Sequence, residues 1–325
     1  MRSCWLYLVM ALSAVGFIRA QETVAPPVAA PGAAVEGAGP YTLKVGVNEV
    51  SLPFHVADFH GTAIGDLTLG DLRLLDNGKG PKQIVAFEVY RDLPIRGGVL
   101  IDTSRSVLEN LKRNQQISID YVRQFLRKQT SDRPGDEAFV MRFDSDTKLL
   151  QDWTGDGELL AASIRNVAAD HESRLGGTAI YDAVYKACRD QFGNASGIAT
   201  GNFLMLFSDG LDNASHTRIE DDVDICQETN TAIYVFSGAS KSMFIEGQKT
   251  LTDLAEQTGG HIFFEQSAEG IHGDLRLIEA NLRSQYRLVY KPAKLKTDGS
   301  FHRIRLESPS RGGVITARSG YYATR

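Results

Sequence analysis

Basic charge, cysteine and long apolar runs are all scarce in this chain, and each shortage excludes something. There is no lysine or arginine block, and a net charge of −5 with a pI near 5.8 leaves no basic field to gather phosphates. That removes the electrostatic case for binding nucleic acid or an anionic membrane surface. The chain has 3 cysteines in 325 residues, and nothing in their spacing resembles a zinc site. No Gly-x-Ser-x-Gly elbow, phosphate-binding loop or His-Glu-x-x-His motif occurs. The longest apolar stretch, Trp5 to Ile18, falls short of the roughly 17 to 25 residues of a comfortable membrane span.

That stretch has the layout of a secretory signal peptide: Arg2 precedes it, and Ala20 with the polar Gln21 and Glu22 follows. Residues 1–20 are therefore expected to direct export to the periplasm or the extracellular space, with no membrane span in the mature chain. Ile18 is a poor residue three positions before the cut, which keeps a retained anchor open. Residues 21–40 are mostly Ala, Pro and Gly with little to bury, and read as a disordered linker.

From Tyr41 the apolar residues alternate. Tyr41, Leu43, Val45 and Val47 form one run and Leu52, Phe54 and Val56 another, with turn signals at His60-Gly61 and over Asp76 to Gly80. Residues 41–95 thus predict an N-terminal antiparallel β unit. After Pro94 the pattern changes to short unbroken apolar runs, Val99 to Ile101, Ala138 to Phe143, Phe203 to Phe207, Ala232 to Phe236 and Ile262 to Phe264, separated by helical stripes. Strands apolar on both faces belong to a mostly parallel sheet covered by helices on each side. Asp144-Ser145-Asp146 between Phe143 and Thr147 predicts one hairpin and one antiparallel edge strand. The fold class expected over residues 96–283 is a doubly wound α/β sheet. Three further β runs follow over residues 284–325, too thin a sheet alone, and are expected to pair with residues 41–95 in a smaller all-β sandwich. Cys188 and Cys226 fall on apolar faces of predicted helices and read as small buried hydrophobes. The exported compartment permits a disulfide, but two inward-facing helical cysteines rarely approach closely enough, so the reading goes against one.

The chemistry gathers where ligands bind in such sheets, outside the carboxyl ends of the strands. Asp102, Ser104 and Ser106 follow the first strand, Gly176-Gly177-Thr178 opens a helix, and Ser208-Asp209-Gly210 follows Phe207. Each cluster has an ordinary explanation. Ser106 with Glu109 fits a capping box, Thr178 can cap its own helix, and Asp209-Gly210 is common turn chemistry. A capping box leaves Asp102 and Ser104 unexplained, however, and the three clusters should converge at one sheet edge. Two carboxylates and three hydroxyls form the small oxygen set that Mg²⁺ favours. Two aspartates balance the charge of the ion while neutral hydroxyls donate little, so the ion stays a good acceptor for one more anionic ligand.

At these residues the chain resembles the metal-ion-dependent adhesion site of von Willebrand factor type A domains. LTLGDLRLLDNGK before the domain, and SQYRLVYKPA, FHRIRLESP and RSGYYA after it, resemble the VWFA-related proteins of acidobacterial type. The resemblance implies Ser104, Ser106 and Thr178 as direct or near-direct ligands of Mg²⁺, with Mn²⁺ or Ca²⁺ as alternatives. It implies Asp102 and Asp209 acting directly or through water, and an Asp or Glu of a partner protein completing the coordination. An adhesion or protein-binding module, not an enzyme, is the expectation.

Two other classes stand beside it. Asp102 at a strand end could be the nucleophile of an Mg²⁺-dependent phosphoryl hydrolase, a chemistry that normally wants a second Asp two residues on, where this chain has Ser104. His171 and Glu172 precede Gly176 and are candidates for the rim of the metal site, although a loop histidine is more often solvated. A structural export protein with a vestigial site is the third class, and the intact set of five oxygens argues against it.

Overall fold

The computed structural model describes residues 49–58, 62–168, 176–193, 200–237, 245–264, 268–294 and 298–323. Along the chain the first strands are β1 (Val50–Ala57), β2 (Arg73–Asp76) and β3 (Gln83–Tyr90). The α/β layer then runs β4 (Ile95–Asp102), α1 (Leu111–Gln124), β5 (Glu137–Phe143), β6 (Thr147–Thr154), α2 (Gly157–Arg165) and α3 (Ile180–Lys186). It continues with β7 (Gly201–Phe207), α4 (Ile219–Glu228), β8 (Thr231–Ser237), α5 (Ile245–Thr258), β9 (Ile262–Phe264) and α6 (Ala268–Arg283). The tail is β10 (Gln285–Lys291), β11 (Phe301–Glu307), β12 (Val314–Ala317) and β13 (Gly320–Tyr322).

The large sheet has six strands in the order β6-β5-β4-β7-β8-β9. All its pairings are parallel except β5 with β6, the hairpin expected from Asp144-Ser145-Asp146. Its inner strands β5, β4, β7 and β8 are buried on both faces because side chains alternate between two cores. Val99 and Ile101 of β4 join Phe203, Met205 and Phe207 of β7 in the core beneath α1, α2 and α6. Leu100, Leu204 and Leu206 face the opposite core, with α3, α4 and α5. The fold is therefore doubly wound. The chain leaves β4 toward β5 on one side and β7 toward β8 on the other, so the two central strands diverge at their carboxyl ends. A crevice at this switch point is where such sheets bind ligands.

The remaining strands form two antiparallel sheets, β12-β1-β10-β3 and β13-β11-β2. Strands from the two ends of the chain interleave, since β1 pairs with β10, β10 with β3, and β11 with β2. Leu52, Phe54, Leu74, Leu288, Ile304 and Tyr321 are among the side chains that fill the space between them. The carboxylate of Asp76 sits inside this core and accepts hydrogen bonds from Tyr290 Oη at 2.9 Å, Tyr321 Oη at 2.8 Å and His302 Nδ1 at 2.9 Å. The alternating run from Tyr41 to Val47 lies outside the described residues.

Arg283 closes the α/β insertion where both crossing segments meet. Leu93 N donates to the Arg283 carbonyl at 3.0 Å, while the Arg283 guanidinium returns a bond to the Leu93 carbonyl at 3.2 Å and pairs with Asp136 at 2.6 Å.

One expectation is overturned. Cys188 and Cys226 form a disulfide with a Cα to Cα distance of 5.2 Å. Both are buried hydrophobic positions as read, but α3 does not continue as a regular helix: Ala187–Phe192 is a π-helical turn. Cys188 therefore sits on a wider turn than the spacing of an α-helix assumes, and there it reaches the sulfur of Cys226 on α4.

Candidate metal centre at the switch point of the sheet

β4 ends on Asp102, fully buried. One of its oxygens accepts Ser104 N at 2.8 Å, and the other accepts Ser208 Oγ, from the loop after β7, at 2.8 Å. The two central strands are thus joined across the switch point by a single carboxylate. Burial pushes Asp102 up to about 7; hydrogen bonds from Ser104 and Ser208 oppose the rise, and the nearby charge of Asp209 adds to it. Two acids share this pocket.

The hydroxyls that follow are not occupied by helix capping. Residues Arg105–Asn110 form a short 3-10 helix whose flanking residue is Ser104, with no side-chain cap, and α1 begins only at Leu111. The capping box expected of Ser106 and Glu109 is not formed, because the first turn is too tight to place Ser106 at a cap. Ser106 Oγ instead lies 3.4 Å from Ser104 Oγ. Ser104 is buried and Ser106 exposed, so the pair leads from the pocket to solvent.

Thr178 does not cap its helix either. The residue before α3 is Ala179, without a side-chain cap. The first N–H groups of α3 are taken from a distance by Asp212, whose Oδ2 accepts Ile180 N at 2.7 Å and Tyr181 N at 3.2 Å. Asn213 Oδ1 accepts Thr178 N at 2.8 Å. On the other side Asp144 O accepts Ala179 N at 2.7 Å, and Phe143 O accepts Thr103 N at 2.8 Å. These bonds bring the loop after β5 and the Thr178 loop to the end of β4.

Asp209 is buried and bonded locally, accepting Leu211 N at 3.2 Å. Gly210 follows at φ 86°, and a Cβ there would stand 2.2 Å from the carbonyl oxygen of Gly247 in α5. The loop can press against the first turns of α5 only with glycine at this position.

Asp102 thus closes β4 with Ser104 and Ser106 just beyond it, Asp209 lies near Asp102 in the loop after β7, and Thr178 is tied to that loop through Asn213. His171 and Glu172 lie outside the described residues. Asp212 and Asn213 were not anticipated. Their only signal is a short Asp-Asn-Ala-Ser run after Leu211 that reads as a turn. Among the described residues no group of three or more His, Cys, Asp or Glu side chains has the arrangement of a metal site. An ion here would rest on two carboxylates and neutral hydroxyls. The residues present fit such an ion: a carboxylate buried beside another acid needs a counter-charge, and the hydroxyls have no other structural duty in capping.

Residues 99–211 match the family model of the von Willebrand factor type A domain, and the chain carries a domain of this type. No curated protein matches the chain. Among solved structures it is similar to proximal thread matrix protein 1 of the mussel byssus with a zinc-occupied adhesion motif, at 17% identity and a TM-score of 0.45 over 59% of this chain and 48% of that one. The chain spans about half the length of the mussel protein. It is also similar to BatB from Bacteroides thetaiotaomicron, at 14% identity and a TM-score of 0.45 over 57% of this chain and 97% of that one. A type A protein from Catenulispora acidiphila shows 12% identity and a TM-score of 0.43, over 73% and 72% of the two chains.

Proposed function

We propose that this chain is an exported, metal-dependent protein-binding module. Asp102, Ser104, Ser106, Thr178 and Asp209 would hold Mg²⁺, or Mn²⁺ or Ca²⁺ in its place. The observation that carries the reading is Asp102: a fully buried carboxylate beside a second acid, at the meeting point of hydroxyls freed from capping. When bound, the ion supplies an electrophilic centre for an acidic side chain of a partner protein.

Each residue has a part in this. Asp102 and Asp209 bring the negative charge, and Ser208 and the Ser104 N–H fix the orientation of Asp102. Ser104, Ser106 and Thr178 add oxygen without charge, so the two acids of the set offset the charge of the ion and leave it an acceptor for the partner. Ser106, exposed at the rim, marks the side from which a partner approaches.

Binding is favoured over phosphoryl transfer because that chemistry normally wants a second Asp two residues beyond the nucleophile, and this chain has Ser104 there. Export is supported by the Cys188–Cys226 disulfide, since such bonds persist in oxidising compartments.

The test is a titration of the mature chain with Mg²⁺, Mn²⁺ and Ca²⁺, followed by calorimetry and thermal melting. A ligand bound only by the native state at roughly 100 times its Kd adds about 2.7 kcal/mol. Melting should rise accordingly for the native chain, fall with chelator, and stay unmoved in Asp102→Ala. Capture of proteins from the exported fraction should then require the ion and fail with Asp209→Ala. Absence of any heat or melting shift with all three ions would remove the site.

A further inference from the structure

We propose that Asn213, seated against Gly177, is a positioning residue for the cation site, which makes Thr178 and Asp209 a single body before any ion arrives. The inference rests on the metal-binding reading above and adds a residue to it.

The two segments are 35 positions apart in sequence, yet three hydrogen bonds join them. Asn213 Oδ1 accepts the Thr178 N–H at 2.8 Å. In the other direction the Thr178 carbonyl accepts Asn213 N at 3.0 Å and Ala214 N at 3.2 Å. Asn213 lies only four residues beyond Asp209 on the same loop. One ligand residue is therefore clamped by both its backbone groups to the loop that carries another.

Steric evidence comes from the opposite side of the contact. A Cβ built on Gly177 would stand 2.2 Å from Asn213 Oδ1 and 2.9 Å from the Ala214 Cβ. The carboxamide can reach the Thr178 N–H only because residue 177 has no side chain. Asp212 completes the arrangement by satisfying the first turn of α3 itself.

The consequence is pre-organisation. A ligand on an independent loop must be ordered when the ion binds, and the cost appears as lost affinity. Here the ordering is already done by Asn213, so the contact acts on the ion through Thr178 without touching it. Such outer residues typically contribute 10-fold to 100-fold in metal affinity.

The experiment uses the mature chain and Mn²⁺ alone as probe, with Asn213→Ala, Gly177→Ala, their double variant and Asn213→Asp, which keeps the acceptor oxygen. Mn²⁺ affinity by calorimetry and amide exchange of Thr178 in the cation-free protein are read together. Both single variants should weaken Mn²⁺ by about 10-fold or more, and both should speed Thr178 exchange. The double variant should be no weaker than either single one, because both break the same contact. Asn213→Asp should stay near the native affinity, and it carries the test if an alanine variant does not fold. A merely structural role would lower the cation-free melting point and leave the Mn²⁺ affinity alone. Native-like Mn²⁺ affinity in both single variants overturns the inference while leaving the metal site standing. Failure of the native chain to bind Mn²⁺ overturns both, even where Thr178 exchange still reports the contact.

Discussion

Two buried aspartates sit at strand ends in this molecule, and their surroundings are opposite. Asp76 ends β2 in the sandwich and Asp102 ends β4 in the α/β layer, at 5% and 0% exposure. Asp76 is surrounded by donors: two tyrosine hydroxyls and a histidine N–H, drawn from three other strands in both sheets of the sandwich. Asp102 receives the Ser104 N–H and the hydroxyls of Ser104 and Ser208, and a second carboxylate, Asp209, lies near it. The first arrangement is complete and acts as a rivet between sheets. The second holds two acids close together in a buried site, which is the condition of a site that awaits a cation. Burial alone does not distinguish structure from function; the presence of a second acid does.

The comparison can be broken most directly by deleting each carboxylate in the absence of divalent ions. Asp76→Ala leaves three buried donors without an acceptor and should cost about 3–5 kcal/mol in urea denaturation, the range for uncoupling a buried polar network. Asp102→Ala removes a group whose charge is penalised by its own site. Its cation-free stability should stay within about 1 kcal/mol of the native chain or exceed it. Equal losses in the two variants would show that Asp102 is as much a rivet as Asp76.

A pH series sharpens the same contrast. The folded-state value of Asp102, about 7, lies above its ordinary 3.8, with burial as the main cause. The native state therefore holds a proton that the unfolded chain releases between about pH 4 and 7. The contribution of this group to stability is fully present below about pH 4, declines as pH rises through that window, and is flat above it. Asp102→Asn keeps the shape and cannot ionise. The stability of the native chain minus that of Asp102→Asn, measured with chelator, should fall by on the order of 3–4 kcal/mol from pH 4 to 8. Mg²⁺ affinity should rise across the same window, because the proton must leave before the carboxylate serves an ion. A flat difference curve would place Asp102 outside any such role.

Much of this was legible in the sequence, and the reasons are specific. Parallel strands are buried on both faces, so Val99 to Ile101 and Phe203 to Phe207 stand out as unbroken apolar runs. The five oxygen residues stand out because each follows a strand or opens a helix in a doubly wound pattern. What escaped depends on contacts between distant segments. The disulfide needs the π-helical turn at Ala187–Phe192, and no hydrophobic period encodes that widening. Asp212 caps a helix that begins 32 residues earlier, whereas capping signals in sequence are local. Asp76 read as part of a turn, since its partners Tyr290, His302 and Tyr321 lie more than 200 residues away.

The smallest effect tests the local rule that failed. Ser106-Val-Leu-Glu109 has the spacing of a capping box, and a formed box would make Glu109 contribute through its bond to the N-cap backbone. In the structure Ser106 is inside a 3-10 turn, its hydroxyl faces Ser104, and Glu109 is exposed. Glu109→Ala should therefore change stability by no more than about 0.5 kcal/mol, as expected of a surface position away from special features. Losing a cap interaction would cost about 1 kcal/mol, which urea midpoints measured in parallel can resolve. The same variant separates the two uses of Ser106: if the hydroxyl serves the ion and not the helix, Glu109→Ala leaves the Mg²⁺ melting shift intact while Ser106→Ala reduces it. A loss of stability in Glu109→Ala of the size of a cap would return Ser106 to the helix and take one oxygen from the site.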